Sequence, residues 1–168
     1  MTGEGTLLAI ASNPPLQTNG LRTLRRVEQA QAVLGFEGYR ITNLFAVPTY
    51  RSGEVAQFGA SEDGWLAARP ELQNGIRHAR GVLLAYGTSA PTGPARALFR
   101  WQVAWLYDQL TVAQLPVWWV GGAARHPSRW QRFTYRAHPG MEFTEALSLA
   151  LQSVPPETLS PQPSSGKT

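Results

Sequence analysis

The chain contains no cysteine, which excludes disulfides, thiolate metal sites and cysteine nucleophiles. Lysine is nearly absent too: Lys167 is the only one, so almost all of the positive charge is arginine. No apolar run approaches the roughly 20 residues that a bilayer span needs, and no membrane partner is expected. The opening stretch, MTGEGTLLAIASNPP, has no basic region ahead of its apolar run. It reads as a first strand rather than a signal peptide, in keeping with a cytoplasmic protein. The three histidines, His78, His126 and His138, are dispersed, lack metal-ligand spacing and have few carboxylates near them. Neither a metal nor another cofactor is expected from them.

What is present suits one domain. A chain of 168 residues with 43% hydrophobic content is large enough for a sizeable core. The net charge is +4, and its arginine makeup says more than its size. A guanidinium is a planar fork that fits phosphate and stacks on bases, which points to an anionic partner. A genome rich in GC codons would produce the same preference for arginine, so charge alone does not decide.

Four apolar runs, TLLAIAS, YRITNLFAV, GVLLAYG and LPVWWVGG, alternate with stretches of helical spacing. Leu21, Leu24, Val27 and Val33 mark a first helix that Gly35 should end. A second helical stretch follows Ser61, a candidate cap, and Pro70 and Gly75 should break it into pieces. ARALFRWQVAWLYDQL is the clearest helix, with Leu98, Trp101 and Trp105 on one side and Arg96 and Arg100 stacked four apart on another. MEFTEALSLALQSV reads as the last helix. Residues 1–154 are therefore expected to form a single α/β domain, and residues 155–168 a disordered tail. Continuous apolar strands alternating with helices predict a three-layer sandwich around a central four-stranded parallel sheet.

Sites in such sheets form where strands end. Here those ends read ASNPPL, TNLFAVP, AYGTSAP and GGAARHPSRW, all polar or glycine-containing. Other motifs fail. The terminal SSGKT has Pro161 where a phosphate-binding loop needs its first glycine, and Pro91 replaces the closing glycine of a nucleophile elbow in GTSAP. The adjacent Trp118 and Trp119 belong on opposite sheet faces, as core. Trp101 and Trp105 suit packing better than base stacking.

The order of the strand ends resembles the uracil-DNA glycosylase superfamily over roughly Leu7 to Trp130. The matching residues are Asn13-Pro14 after the first strand, Asn43 at the end of the second, Gly87 after the third and His126-Pro127-Ser128 after the fourth. More closely, NPP, NLFA and RHP resemble a bacterial and phage family known only as a domain of unknown function. The first resemblance implies a glycosylase-like fold and excision of a damaged or deaminated base from DNA. It implies that His126 donates to the departing base and that Asn13 positions the attacking water. Asn43, with Phe45 near it, would hold the base. Arg125, Ser128, Arg129, Trp130 and Arg132, with Arg136 beyond them, would face nucleic acid.

The chain also departs from that pattern. No aromatic residue follows Asn13 until Phe36, no aspartate occupies the first motif, and Pro15 replaces a small residue. Phe45 or Tyr50 would have to supply the stacking ring. Asn13 before Pro14 also fits a simple turn, Asn43 a backbone bond at a strand end, and His126-Pro127 a loop start. A non-catalytic relative that binds nucleic acid or a nucleotide in the same pocket is the alternative, and a nucleoside or phosphoester hydrolase on the same sheet is a third reading.

Overall fold

The computed structural model describes residues 5–14, 20–49 and 54–160. The four apolar runs form parallel strands: β1 (Thr6–Ala11), β2 (Gly38–Asn43), β3 (Gly81–Leu84) and β4 (Val117–Val120). A fifth strand, β5 (Leu151–Ser153), pairs antiparallel with β4, giving the order β2-β1-β3-β4-β5. The expected four-stranded parallel sheet is thus corrected to five strands, one of them antiparallel.

Strand alternation sends neighbouring side chains to opposite layers. Leu8, Ile10, Val82 and Leu84 pack with Leu72 and Ile76 of α3 (Asp63–His78) and with Leu106 and Leu110 of α4 (Pro94–Ala113). Leu7, Ala9, Leu83 and Ala85 pack with Val27 and Ala30 of α1 (Leu21–Leu34) and with Leu147 and Ala150 of α6 (Phe143–Ala150). Fully burying a Leu or Ile side chain contributes about 1.5–3 kcal/mol, so these two interfaces hold the three layers together. Trp118 and Trp119 join opposite clusters, as adjacent strand residues should. The remaining short helices are α2 (Glu54–Phe58), α5 (Trp130–Ala137) and α7 (Pro156–Leu159).

Gly35 ends α1 in the left-handed conformation, its N–H on the carbonyls of Ala32 and Gln31. In contrast, α3 runs unbroken through Pro70 and Gly75. Pro70 lies on the exposed face together with Leu66, whose carbonyl would otherwise accept the bond that proline cannot donate. Gly75 faces β1, and a Cβ there would stand 2.9 Å from Leu8 Cδ1. Its small size lets α3 lie close to the sheet. Ser61 is not the cap: Glu62 precedes the helix, with no side-chain capping bond.

The expected last helix is shorter than its apolar pattern suggests. α6 stops at Ala150, whose carbonyl accepts the Gly121 N–H at 2.8 Å, and Val154 N–H then bonds the Val117 carbonyl at 2.8 Å. Backbone pairing to the open edge of β4 has displaced helix. Part of the stretch expected as a disordered tail is helical instead: Pro156–Leu159 form α7, and Leu159 packs on the apolar cluster that α4 shares. Residues 161–168, including Pro161 and the SSGKT stretch, lie outside the described residues, as do Pro15 and Tyr50. No helix among the described residues is long and apolar enough to cross a membrane.

Candidate functional site

From β1 the chain crosses to β2 on one side, and from β3 to β4 on the other. The direction of winding therefore switches between β1 and β3, and a crevice is expected beyond their carboxyl ends. A cleft of about 1120 Å³ opens there. Ser12 and Asn13 line it from β1, Leu44 and Thr49 from the segment after β2, and Tyr86 to Thr92 from the segment after β3. Arg125, His126, Ser128 and Arg129 enter after β4, followed by Arg132, Phe133 and Arg136 of α5.

The backbone around His126 is built locally. His126 caps a 3-10 turn, Pro127–Arg129, in which Pro127 is buried at the first position. Proline suits that position because no N–H is needed there. Gly87, at a φ of 96°, donates its N–H to the Ala124 carbonyl at 2.7 Å and lies against His126 Cβ. Only glycine adopts that conformation without strain, so Gly87 ties the end of β3 to the loop that carries the histidine.

The imidazole has a defined tautomer. Ser128 N–H donates to His126 Nδ1 at 3.2 Å, and Ser128 Oγ lies 2.8 Å from the same nitrogen. A backbone N–H can only donate, so Nδ1 accepts and the proton of the neutral ring sits on Nε2. Burial, with the positive charge of Arg129 beside it, lowers the pKa of His126 and favours that neutral ring. A neutral N–H donor in the cleft is the result.

Asn13 is held by its amide nitrogen, which donates to Thr49 Oγ1 at 2.6 Å and more weakly to the Pro14 carbonyl at 3.4 Å. Its Oδ1 keeps its acceptor capacity. Arg125 is stacked on Phe133, with its guanidinium carbon 4.4 Å from the ring centroid. Gly121 permits this: its φ is 66°, and a Cβ there would stand 2.2 Å from Phe133 Cζ. Arg125 Nε is buried without a partner, and Nη2 lies 3.4 Å from the Gly121 carbonyl. No Asp or Glu occurs among the described residues that line the cleft. Its field therefore favours an anion.

Of the residues expected from sequence, Asn13, Arg125, His126, Ser128, Arg129 and Arg132 meet in this one cleft, and Arg136 joins them. Three do not. Asn43 shares a face of β2 with Ile41, on the α1 side of the sheet, while Leu44 is the residue of that strand end lining the cleft. Phe45 is fully buried against Trp65, with ring centroids 4.6 Å apart, so it is core rather than a base-stacking ring. Trp130 is fully buried as well, and its Nε1–H bonds the Arg125 carbonyl at 2.9 Å. It braces the histidine loop from behind and cannot meet a nucleic acid.

The structure adds residues that the motifs did not indicate. Thr49 anchors Asn13, and Tyr86, Phe99 and Phe133 give the cleft aromatic walls, with Trp65 fully buried against Phe99. Tyr86 stands one residue before Gly87 at a strand end and was the one with a local signal. Its hydroxyl lies 2.8 Å from that of Tyr107, and burial, then Tyr107, pushes its pKa up. No group of three or more His, Asp or Glu able to hold a metal ion occurs among the described residues. Comparison of the chain with protein-family models, with curated proteins and with solved structures finds no match.

Proposed function

We propose that the cleft binds a nucleic-acid strand and that the protein is a uracil-DNA glycosylase-like hydrolase, removing a damaged or deaminated base from DNA. One observation carries this reading: a neutral histidine donor stands in a cleft with four arginines and no described carboxylate in its lining. Arginines suit phosphate oxygens, an imidazole N–H suits the oxygen of a departing base, and aromatic walls suit an extruded ring.

In the reaction, the bond between sugar C1′ and the base nitrogen breaks, and its electron pair leaves with the base. His126 Nε2–H donates to a carbonyl oxygen of that developing anion, where a preorganised donor has most effect. A water held by Asn13 Oδ1 forms the new bond to C1′ and loses a proton to solvent. The base anion takes a proton from water, and His126 keeps its own. Free base and an abasic sugar are the products. Asn13→Ala and His126→Ala variants should fold, still bind oligonucleotide and lose base release; full release by both would refute these roles.

The lack of a carboxylate among the described lining residues favours a second reading, because none of them offers a carboxylate general base to take the water's proton. A protein of that kind binds nucleic acid without forming product. Its binding should weaken with salt and with Arg129→Ala. Tight binding indifferent to salt would count against a phosphate-contacting cleft.

A further inference from the structure

The outer face of α5 sets beside three of the cleft arginines a tyrosine that the cleft chemistry leaves unused. Tyr135 is 74% exposed, an unusual setting for a ring that gains most from burial. Arg129, Arg132 and Arg136 are exposed beside it, and α5 contains no acidic residue. Spacings of three and four place these arginines along one flank of the helical segment. The rise per residue separates the first from the last by about 10 Å, more than one phosphate group can bridge. Tyr135 follows Arg132 by three positions on α5, a spacing that sets the two residues side by side on the helix surface. Arg132 and Arg136 also line the cleft, which makes the tyrosine face continuous with it.

A ring flanked by cations offers a base something to stack on while its phosphates meet the charges. A duplex would show this face only its backbone and leave the ring without a partner. We infer that the nucleic acid is single-stranded where it leaves the cleft. Its phosphates lie along Arg129, Arg132 and Arg136, and Tyr135 stacks on the base next to the one held in the cleft. This rests on the nucleic-acid reading above and names the form of strand that the site takes.

The test uses the full chain with three ligands: labelled octathymidylate, a hairpin duplex of equal charge, and thymidine monophosphate. The octamer should bind more tightly than the hairpin. Tyr135→Ala should weaken the octamer by about tenfold and leave thymidine monophosphate unchanged, and Tyr135→Trp should restore the octamer. Arg132→Gln and Arg136→Gln should each lower the salt slope of octamer binding by roughly 0.7. An octamer affinity indifferent to Tyr135→Ala, or a hairpin bound equally well, overturns the strand path while bound monophosphate leaves the cleft reading standing. Failure of both octamer and monophosphate to bind overturns the two together. Wild-type binding to phosphatidylserine vesicles but to no oligonucleotide overturns them also, and makes the face a membrane contact.

Discussion

Replacing Gln102 by leucine should remove a polar node from the wall behind the cleft. Gln102 is fully buried on α4. Its Nε2 donates to the carbonyls of Leu44 at 3.0 Å and Trp65 at 2.7 Å, and its Oε1 accepts from Arg69 Nε at 3.0 Å. One amide therefore joins the end of β2, the first turn of α3 and the middle of α4. Leu44 and Trp65 both line the cleft. Leucine keeps the approximate volume but removes the partner of all three groups; the Trp65 carbonyl lies within α3 and keeps its helical acceptor role, while the Leu44 carbonyl and the Arg69 Nε–H are left without one. The guanidinium has little freedom to find another. It lies over Trp101 and Trp105, at 4.2 and 4.6 Å from their ring centroids, and its Nη2 is already buried without a partner. Two orphaned groups at roughly 1–3 kcal/mol each put the cost near about 3 kcal/mol, a large share of the 5–15 kcal/mol typical of a domain. Urea unfolding followed by tryptophan fluorescence should show a lower midpoint at an unchanged slope. Adding Arg69→Met should recover part of the loss, because the node then has fewer unmatched polar groups. A loss below about 1 kcal/mol, or a double variant no more stable than the single one, would refute the reasoning.

Three further outcomes follow from the cleft. Because burial and then Arg129 lower the pKa of His126, the unfolded chain takes up a proton near pH 6.5 while the folded chain still resists it. Stability should therefore fall as pH drops from about 6.5 through the lowered folded value, and His126→Asn should flatten that slope in urea midpoints measured across the range. Gly121→Ala meets both a left-handed φ and the Phe133 ring; it should cost about 1–3 kcal/mol, displace the Arg125 stack and weaken oligonucleotide binding more than Arg96→Ala does. Trp130→Phe keeps most of the packing but removes the bond to the Arg125 carbonyl. A loss of about 1 kcal/mol in thermal unfolding is expected, with a larger fractional loss of base release than of binding; equal losses would remove its bracing role.

Much of this architecture was legible in the sequence because it is local or periodic. β1 and β3 read as continuous apolar runs because both of their faces are buried, the edge strand β2 and β4 followed from their place between helical stretches, and Gly35 was a visible helix stop. The cleft was legible for a related reason: strand ends at a winding switch must converge, and Asn13 and His126 stand at two such ends. β5 was not legible, because Leu151–Ser153 continue the apolar pattern of α6 and become strand only by pairing with β4. Unbroken α3 likewise depends on Pro70 facing water and Gly75 facing Leu8, facts of orientation rather than composition. Asn43, Phe45 and Trp130 failed as site residues for one physical cause. Residue type and order placed them near the cleft, while the pleat or the core turned their side chains away. Thr49 and Phe133 were missed for the converse reason, being brought to the cleft by packing alone.

The most direct measurement is release of free base under single-turnover conditions from labelled oligonucleotides carrying uracil, hypoxanthine or a mismatch, with folded His126→Ala beside the wild type. Release from at least one substrate by the wild type, lost in His126→Ala while binding persists, is the expected result. Binding with no release from any of them would contradict the hydrolase and leave a nucleic-acid-binding protein. Undiminished release by His126→Ala would contradict the role of the histidine donor on which the proposed chemistry rests.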